Sequence, residues 1–320
     1  MARADCPLPA RCRAGDEASA AGASLRTPRA RAQRTCGAAP RGVRGAVRRA
    51  FHAGLWACAA LAVAFLLLPV LAIFLRVTPT TLVGELNDRV VLDALVVTAK
   101  TNAIAIVLLL VVGTPAAYLL ASTRFRGRAL VLTLIELPLV LPPAVAGIGL
   151  LAAFGRAGLL GSSLDVLGVA LPFSQAAVVL AVLFVASPFY LRTAVAAFES
   201  VDRDLIDAAR TLRAGPARTF ALVALPVASA GLGAGAALAF ARGIGEFGAT
   251  IMFAGSVRGA TQTLPLAIYA QFDQNFDVAL AIGALLVVVS AVLLLLLKLP
   301  LPWARSASIS PFGAVRSTSR

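Results

Sequence analysis

The chain of 320 residues is 59% hydrophobic and only 14% charged, whereas ordinary globular domains are about 45–50% apolar and about a quarter charged. This composition excludes a water-soluble enzyme, because too little polar surface is available to cover a chain of this length. Basic residues outnumber acidic ones by 29 to 15, which by itself is compatible with a nucleic-acid partner. The excess is concentrated in one tail, so we expect no nucleic-acid partner and predict an all-α polytopic membrane protein.

The tail covers residues 1–50, which contain 11 arginines, three acids and almost no large apolar side chains. Such a segment cannot bury a core and is predicted to be disordered. Three interpretations stay open: a cytoplasmic tail, an organellar transit peptide, or an over-extended gene start. A transmembrane domain is predicted over 51–304, with its core at 90–299, followed by a carboxyl-terminal tail at 305–320.

Six apolar segments have the length of about 20 residues that a helix needs to cross a bilayer. In chain order they are predicted at 55–75, 102–122, 129–154, 176–197, 225–244 and 278–299. The third contains Pro138, Pro142 and Pro143, which interrupt a helical pattern. We therefore expect six membrane helices surrounded by the lipid bilayer.

The distribution of lysine and arginine predicts the orientation, since cytoplasmic loops carry the excess of these residues. The tail, the 124–128 loop, the 192–218 segment and the carboxyl end from Lys298 hold 11, 3, 5 and 4 basic residues. All four segments lie on one side if the spans alternate. The prediction is that both termini face the cytoplasm.

The long charged segment 198–226 is predicted to form a helix–turn–helix in the cytoplasm. Asp202 or Asp204 is suited to cap its first helix, and Gly215-Pro216 breaks the chain before a short second helix at 218–223 that ends near Pro226. The apolar positions of the first helix keep the i, i+3, i+4, i+7 spacing; they are Leu205, Ala208, Ala209 and Leu212. Such a protrusion is a natural contact for a soluble partner, the alternative being a solvated loop.

The same segment resembles the EAA loop of bacterial ABC-transporter permeases, whose pattern is E-A-A, three residues, G, nine residues, I-x-L-P. The positions that carry the resemblance are Asp207, Ala208, Ala209, Arg213, Gly215, Val223, Leu225 and Pro226. Asp207 replaces Glu, Arg213 replaces Gly and Val223 replaces Ile, and we expect Gly215 to take over the turn. The resemblance implies that this loop docks on a separate ATP-hydrolysing subunit.

Two further stretches, 137–147 and 245–269, resemble the molybdate/tungstate permeases, and sulfate permeases share the Gly-Glu-Phe-Gly stretch at 245–248. The resemblance implies a type I ABC importer permease in the bacterial cytoplasmic membrane. It implies a homodimer, an ATP-binding subunit and an external oxyanion-binding protein that delivers molybdate at the 155–175 and 245–277 loops. Tungstate or sulfate/thiosulfate import stays open, as does an autonomous secondary anion transporter.

The chain is not predicted to be an enzyme. A phosphate-binding loop places a lysine directly after glycine, but Lys100 follows alanine and Lys298 follows leucine, so ATP must be hydrolysed by the partner. The four cysteines and His52 show no metal-ligand spacing, and we expect no metal or cofactor in this chain. A membrane-embedded enzyme would need a constellation of acids or histidines that the spans lack.

Ionisable residues in the spans are candidates for a translocation path, because charge in hydrocarbon is expensive. Arg242 and Glu246 have the i, i+4 spacing of an ion pair, while Glu136 stands apart. Neutral hydroxyl donors suit an anion that must be released again. The candidate path or gate comprises Pro142, Pro143, Arg242, Glu246, Thr250, Ser256, Thr261 and Thr263. A stripe of small residues predicts close helix packing; it is Gly231, Gly235, Ala239 and Gly243.

Overall fold

The computed structural model describes residues 41–77, 84, 88–168 and 170–298, and the regular elements in these ranges are all helical. They are α1 Arg41–Arg76, α2 Arg89–Ser122, α3 Arg128–Val140, α4 Pro143–Phe154, α5 Gly161–Val166, α6 Gln175–Glu199, α7 Arg203–Thr211, α8 Pro216–Ile244, α9 Gly248–Ala254, α10 Leu264–Phe272 and α11 Phe276–Lys298. The predictions for residues 1–40 and for the 305–320 tail lie outside the described residues.

The chain divides into a unit that ends at Leu61 and a second unit that starts at Ala62. Helix α1 begins at Arg41, so residues 41–50 are helical rather than disordered as predicted. Alanine and arginine are among the better helix formers, which explains why the helix extends beyond its apolar segment. From Phe51 onward its side chains are exposed or half-buried, as expected for a helix that lipid surrounds.

Helices stand at all six predicted span positions. Four of them, α1, α2, α6 and α8, are long and apolar enough to cross a membrane, and the bent pair α3–α4 makes a fifth if it is one span. Helix α11 overlaps the sixth prediction, with a shorter apolar helix at Phe276–Val292. The helical membrane architecture is confirmed, whereas the number of six spans stays a prediction.

The third predicted span is not one straight helix. Helices α3 and α4, of 13 and 12 residues, meet at an angle of 115°, and each is only about 20 Å long, less than the hydrocarbon core. Leu141 and Pro142 are extended, with ψ of 131° and 134°, because each precedes a proline whose ring disfavours the helical conformation. The proline pair therefore breaks the span instead of merely kinking it.

Helix α6 lies at the centre of the second unit and packs against α2, α3, α4, α8 and α9. The predicted small-residue stripe of α8 faces it. A β-carbon at Gly231 would lie 2.5 Å from Cβ of Ala197, and one at Gly235 would lie 3.1 Å from Cβ of Thr193. Glycine is therefore required for the approach of α8 to α6, as the stripe predicted.

A second close approach joins α4 to α9 and yields a prediction. A β-carbon at Gly147 would lie 2.7 Å from the carbonyl oxygen of Ala249, so Gly147→Ala should lower the free energy of unfolding by about 1–3 kcal/mol. Gly149 is two residues away in the same helix, with open space beside it, and Gly149→Ala should be neutral or stabilising by up to about 1 kcal/mol. Thermal unfolding of both variants in detergent measures the difference; equal melting temperatures would contradict the close approach.

Candidate functional site

Helix α7 carries the predicted Asp-Ala-Ala sequence at the point where the chain leaves α6 and before it enters α8. Of the two predicted caps, Asp202 is the one that acts: its Oδ1 accepts a hydrogen bond from the backbone N–H of Asp204 at 3.0 Å. Within the helix, Arg210 Nη1 lies 3.3 Å from Asp207 Oδ1. Both ends of this ion pair are exposed, so it contributes little stability and leaves Asp207 accessible.

The predicted apolar face of α7 is divided between the interior and the surface. Ala209 is buried, whereas Ala208 is exposed and Leu205 and Leu212 are 46% and 84% exposed. Ala209 therefore anchors the helix, and the remaining apolar positions face outward together with Asp207. The exposed Leu205, Ala208 and Leu212 make this face a candidate surface for another protein.

The turn after α7 differs from the prediction that Gly215 ends the helix. Arg213 itself adopts the left-handed conformation, with φ of 60°, and Gly215 is extended with ψ of 165°. The N–H of Ala214 donates to the carbonyl of Ala209 at 3.0 Å, and the N–H of Arg213 donates to that of Arg210 at 2.9 Å, which together form a Schellman motif. The turn therefore lies at Arg213, the position at which the EAA pattern has glycine, and not at Gly215.

The short second helix predicted at 218–223 is wrong in its extent. The chain is continuously helical over Pro216–Ile244, so Val223, Leu225 and Pro226 lie within α8. A π-helical turn at Phe220–Ala224 widens the helix directly before Pro226, where the proline ring and its missing N–H would otherwise break it. The end of the 198–226 segment is therefore continuous with the long helix α8.

At the opposite end of α8, Arg242 and Glu246 form the ion pair that their spacing predicted. Arg242 Nη1 lies 2.8 Å from Glu246 Oε2, and the two side chains are 28% and 1% exposed. The other carboxylate oxygen of Glu246 accepts a hydrogen bond from the N–H of Ala249 at 2.8 Å. Glu246 thus connects the end of α8 to the start of α9, and its charge is neutralised inside the protein.

The predicted hydroxyl donors separate into two groups. Thr250, Thr261 and Thr263 are buried, while Ser256 is exposed. Thr261 Oγ1 accepts a hydrogen bond from the N–H of Val257 at 2.9 Å, which stabilises the turn before α10. The hydroxyls of Thr250 and Thr263 are buried with no hydrogen-bond partner among the described residues, and such groups call for an explanation because leaving them unpaired is costly.

The proline pair of the candidate gate lies against the same region. A β-carbon at Gly248 would lie 2.6 Å from Cβ of Pro143, so the start of α4 contacts the start of α9. Pro142 precedes this contact at the break between α3 and α4. The structure therefore brings Pro143 to α9. It does not join all the candidates into one cluster, because the described residues show no hydrogen bond between Arg242 and the predicted hydroxyls.

Sequence reasoning missed a buried polar face on α2. Thr98, Thr101 and Asn102 are 1–3% exposed; Thr98 Oγ1 accepts a hydrogen bond from the N–H of Leu264 at 2.8 Å, and Asn102 Oδ1 is buried without a hydrogen-bond partner in the described part of the chain. Their i, i+3, i+4 spacing was a usable signal, because three polar residues on one face of an apolar helix must face protein rather than lipid.

Two further polar contacts within the helix bundle were also missed. The hydroxyls of Thr114 and Tyr190 are 2.5 Å apart in the buried contact between α2 and α6. Arg192 Nε lies 3.6 Å from Glu136 Oε1, so the acid that stood apart in the sequence has a partner on α6. Both pairs join residues more than 50 positions apart, and no sequence spacing indicates them.

The sequence of the chain is similar to that of known proteins over most of its length. A family model described as the inner membrane component of binding-protein-dependent transport systems matches residues 110–305. The molybdenum transport system permease protein ModB of Mycobacterium tuberculosis is 43% identical over 233 residues, which cover 73% of this chain and 88% of that protein. A probable molybdenum ABC transporter permease protein of Haloferax volcanii is 42% identical over 234 residues, covering 70% and 84%.

Solved structures with the same fold are also membrane transporters. A bacterial alginate ABC transporter in complex with its alginate-bound periplasmic protein aligns with a TM-score of 0.65 at 15% identity and covers 79% of this chain and 94% of that chain. The inward-facing methionine transporter MetNI aligns with a TM-score of 0.51 at 19% identity, covering 68% and 94%. At these identities the likeness supports the fold alone.

The Schellman turn gives one stability prediction. The left-handed conformation costs an arginine about 1–2 kcal/mol. Glycine avoids this cost, but part of the gain is offset because glycine loses more conformational entropy on folding. Arg213→Gly should therefore raise the free energy of unfolding by about 0.5–1 kcal/mol. Gly215→Ala is the control, since its φ is −68° and the space beside it is open; it should change little. A lower melting temperature for Arg213→Gly would contradict the assignment of strain.

The buried Arg242–Glu246 ion pair gives a second stability prediction. Arg242→Gln leaves the Glu246 carboxylate buried without its counter-charge and should lower the free energy of unfolding by on the order of 3 kcal/mol. Glu246→Gln keeps an acceptor for the N–H of Ala249 and leaves Arg242 partly exposed to water, so its cost should be about 1 kcal/mol. The double variant should be more stable than Arg242→Gln alone. Thermal unfolding of the three variants tests this order, and equal losses from the two single changes would contradict it.

Proposed function

Because the chain belongs to the family of inner membrane components of binding-protein-dependent transport systems, we propose that it is the permease subunit of an ATP-driven importer that carries molybdate across the cytoplasmic membrane. The similarity to relatives named for molybdenum transport, at 42–43% identity over most of their length, supports this substrate. Tungstate is chemically close to molybdate, and the sequence resemblance covers both.

The exposed face of α7 is the observation that carries the coupling role. Asp207 and Ala208 of α7, and Leu212 directly after it, are exposed, while Ala209 is buried and anchors the helix. The full sequence contains no lysine directly after a glycine, so the phosphate-binding loop of the G-x-x-x-x-G-K-[ST] kind belongs to another subunit. We propose that this subunit hydrolyses ATP and covers α7 from the cytoplasm, with both termini of the permease on the same side.

Two copies of the permease would form the translocation path. In this proposal an external oxyanion-binding protein delivers the anion at the 155–175 and 245–277 segments, and nucleotide binding to the ATPase tilts the two halves. The interior suits such a path, because the Glu246 carboxylate is neutralised by Arg242 at 2.8 Å and does not repel an anion. The unpaired hydroxyls of Thr250 and Thr263 would supply neutral donors that let the anion leave again.

A substitution at one exposed residue, combined with an uptake assay, tests the coupling role and the substrate together. Ala208→Glu places a charge on the outward face of α7 without touching the core, so it should leave the melting temperature unchanged and abolish both co-purification of the ATPase subunit and ATP-dependent molybdate uptake. Arg126→Gln, which makes the same one-unit change of charge at an exposed position outside the 198–226 loop, is the control and should retain most of both. Uptake is measured in vesicles that contain permease, ATPase and binding protein.

The outcomes separate the alternatives. ATPase association and uptake that both survive Ala208→Glu would contradict docking at α7. Uptake that persists in vesicles without the ATPase would favour an autonomous secondary transporter. Transport of sulfate or thiosulfate in place of molybdate, with unchanged ATP dependence, would overturn the substrate and keep the coupling role.

A further inference from the structure

A cavity of about 820 Å³ lies beneath α7, and neither the docking surface nor the candidate path accounts for it. Its walls come from the end of α2 and the 123–127 loop, the end of α6, and the inner side of α7. This volume falls in the range of pockets that hold one small organic ligand. Asp207 and Arg210 of α7 belong to its lining, whereas Ala208 does not, so the cavity borders the docking face of α7 without including the residue at which docking is tested.

The charge of the cavity is positive. Its lining includes four arginines and two acids. Arg128 is engaged twice, donating to the carbonyl of Leu120 at 2.7 Å and pairing with Glu199, and Arg210 pairs with Asp207. Arg124 and Arg203 line the same cavity and form no salt bridge with any residue that the structure describes. Glu199 and Asp207 share the cavity but are paired with Arg128 and Arg210, so the lining carries two more positive than negative groups. Guanidinium binds phosphate through paired hydrogen bonds.

An apolar groove of about 240 Å³ adjoins this cavity and shares Arg128 and Glu199 with it. It runs between α3 and α6, and its aliphatic lining residues are Leu132, Ile135, Leu191, Val195 and Ala196. The Arg192–Glu136 ion pair also lines the groove, and its two charges offset each other. A positive cavity that continues into an aliphatic groove between two membrane helices matches the two parts of an amphiphile. A small inorganic anion would use only the cavity.

We propose that the cavity and the groove together bind one anionic phospholipid, with its phosphate at Arg124 and Arg203 and one acyl chain between α3 and α6. Basic pockets between membrane helices at the cytoplasmic side are suited to such headgroups. The tail of the chain is not a competing occupant, since residues 1–50 carry 11 arginines and three acids and would be repelled. The bound phosphate would connect the loop after α2 to α7 and so hold the coupling helix against the bundle.

The test measures lipid binding to the purified full-length chain by native mass spectrometry. Phosphatidylglycerol should bind about tenfold more tightly than phosphatidylcholine, because only its headgroup carries a net negative charge for the two arginines. The double variant Arg124→Gln/Arg203→Gln should lose this preference. The matched control Arg126→Gln/Arg218→Gln removes the same charge from exposed positions outside the cavity lining and should keep it.

A second variant separates a lipid from a soluble anion. Ala196→Phe fills the groove without altering an arginine, so it should weaken phosphatidylglycerol binding by about tenfold and leave the binding of glycerol phosphate unchanged. Retention of phosphatidylglycerol by Ala196→Phe, or its displacement from the wild type by millimolar molybdate or phosphate, would overturn the lipid assignment in favour of a soluble anion site. An equal loss of the preference for phosphatidylglycerol in the Arg126→Gln/Arg218→Gln control would show that general surface charge causes the preference. That result would also overturn the lipid assignment.

Discussion

Helices α6 and α8 approach each other closely at the positions where glycines of α8 face α6. A β-carbon at Gly231 would come within 2.5 Å of Ala197, and Ala186, Ala194 and Ala239 are fully buried in the same core. In a bilayer the hydrophobic effect does not drive helices together, so association depends on van der Waals contact over such a surface. The position of α8 relative to α6, and of α7 between them, follows from this contact.

Helix α8 then links two regions of the molecule. Its amino-terminal end follows α7 directly, and its carboxyl-terminal end carries Arg242 and continues through Glu246 into α9. Residues 216 and 242 are about 39 Å apart along a helix, about the thickness of a bilayer with its headgroups. A displacement of α7 by a partner would therefore reach the polar interior through one rigid element, without a chain of flexible contacts.

The π-helical turns in α2 and α8 have a shared cause. The π turn Phe220–Ala224 ends two residues before Pro226, and the π turn Leu109–Gly113 ends two residues before Pro115. Each turn widens the helix where a proline lacks its N–H and where its ring would meet the preceding turn. The prolines of α2 and α8 are thus accommodated inside continuous helices, whereas Pro142 and Pro143, which are adjacent, break the chain into α3 and α4.

This contrast shows what the sequence could predict. Composition and span length located the membrane helices, and local spacing predicted the Asp202 cap and the Arg242–Glu246 pair, because those contacts join residues close in the chain. The prolines indicated where the third span is interrupted, but not the 115° angle between α3 and α4 or the close approach of Gly147 to Ala249 of α9, because α9 is remote in sequence. Arg213 was expected to displace the turn to Gly215, but the Schellman hydrogen bonds to Ala209 and Arg210 hold it in place.

The interior polar groups explain how a buried acid is compatible with anion transport. An isolated carboxylate at Glu246 would raise the barrier for an anion and would itself be costly to bury. With Arg242 at 2.8 Å the pair is neutral as a whole, while Asn102 Oδ1 and the hydroxyls of Thr250 and Thr263 are left without hydrogen-bond partners among the described residues. In the proposed path the hydroxyls of Thr250 and Thr263 would donate to the passing anion, while Arg242 offsets the charge of the Glu246 carboxylate that would otherwise oppose it.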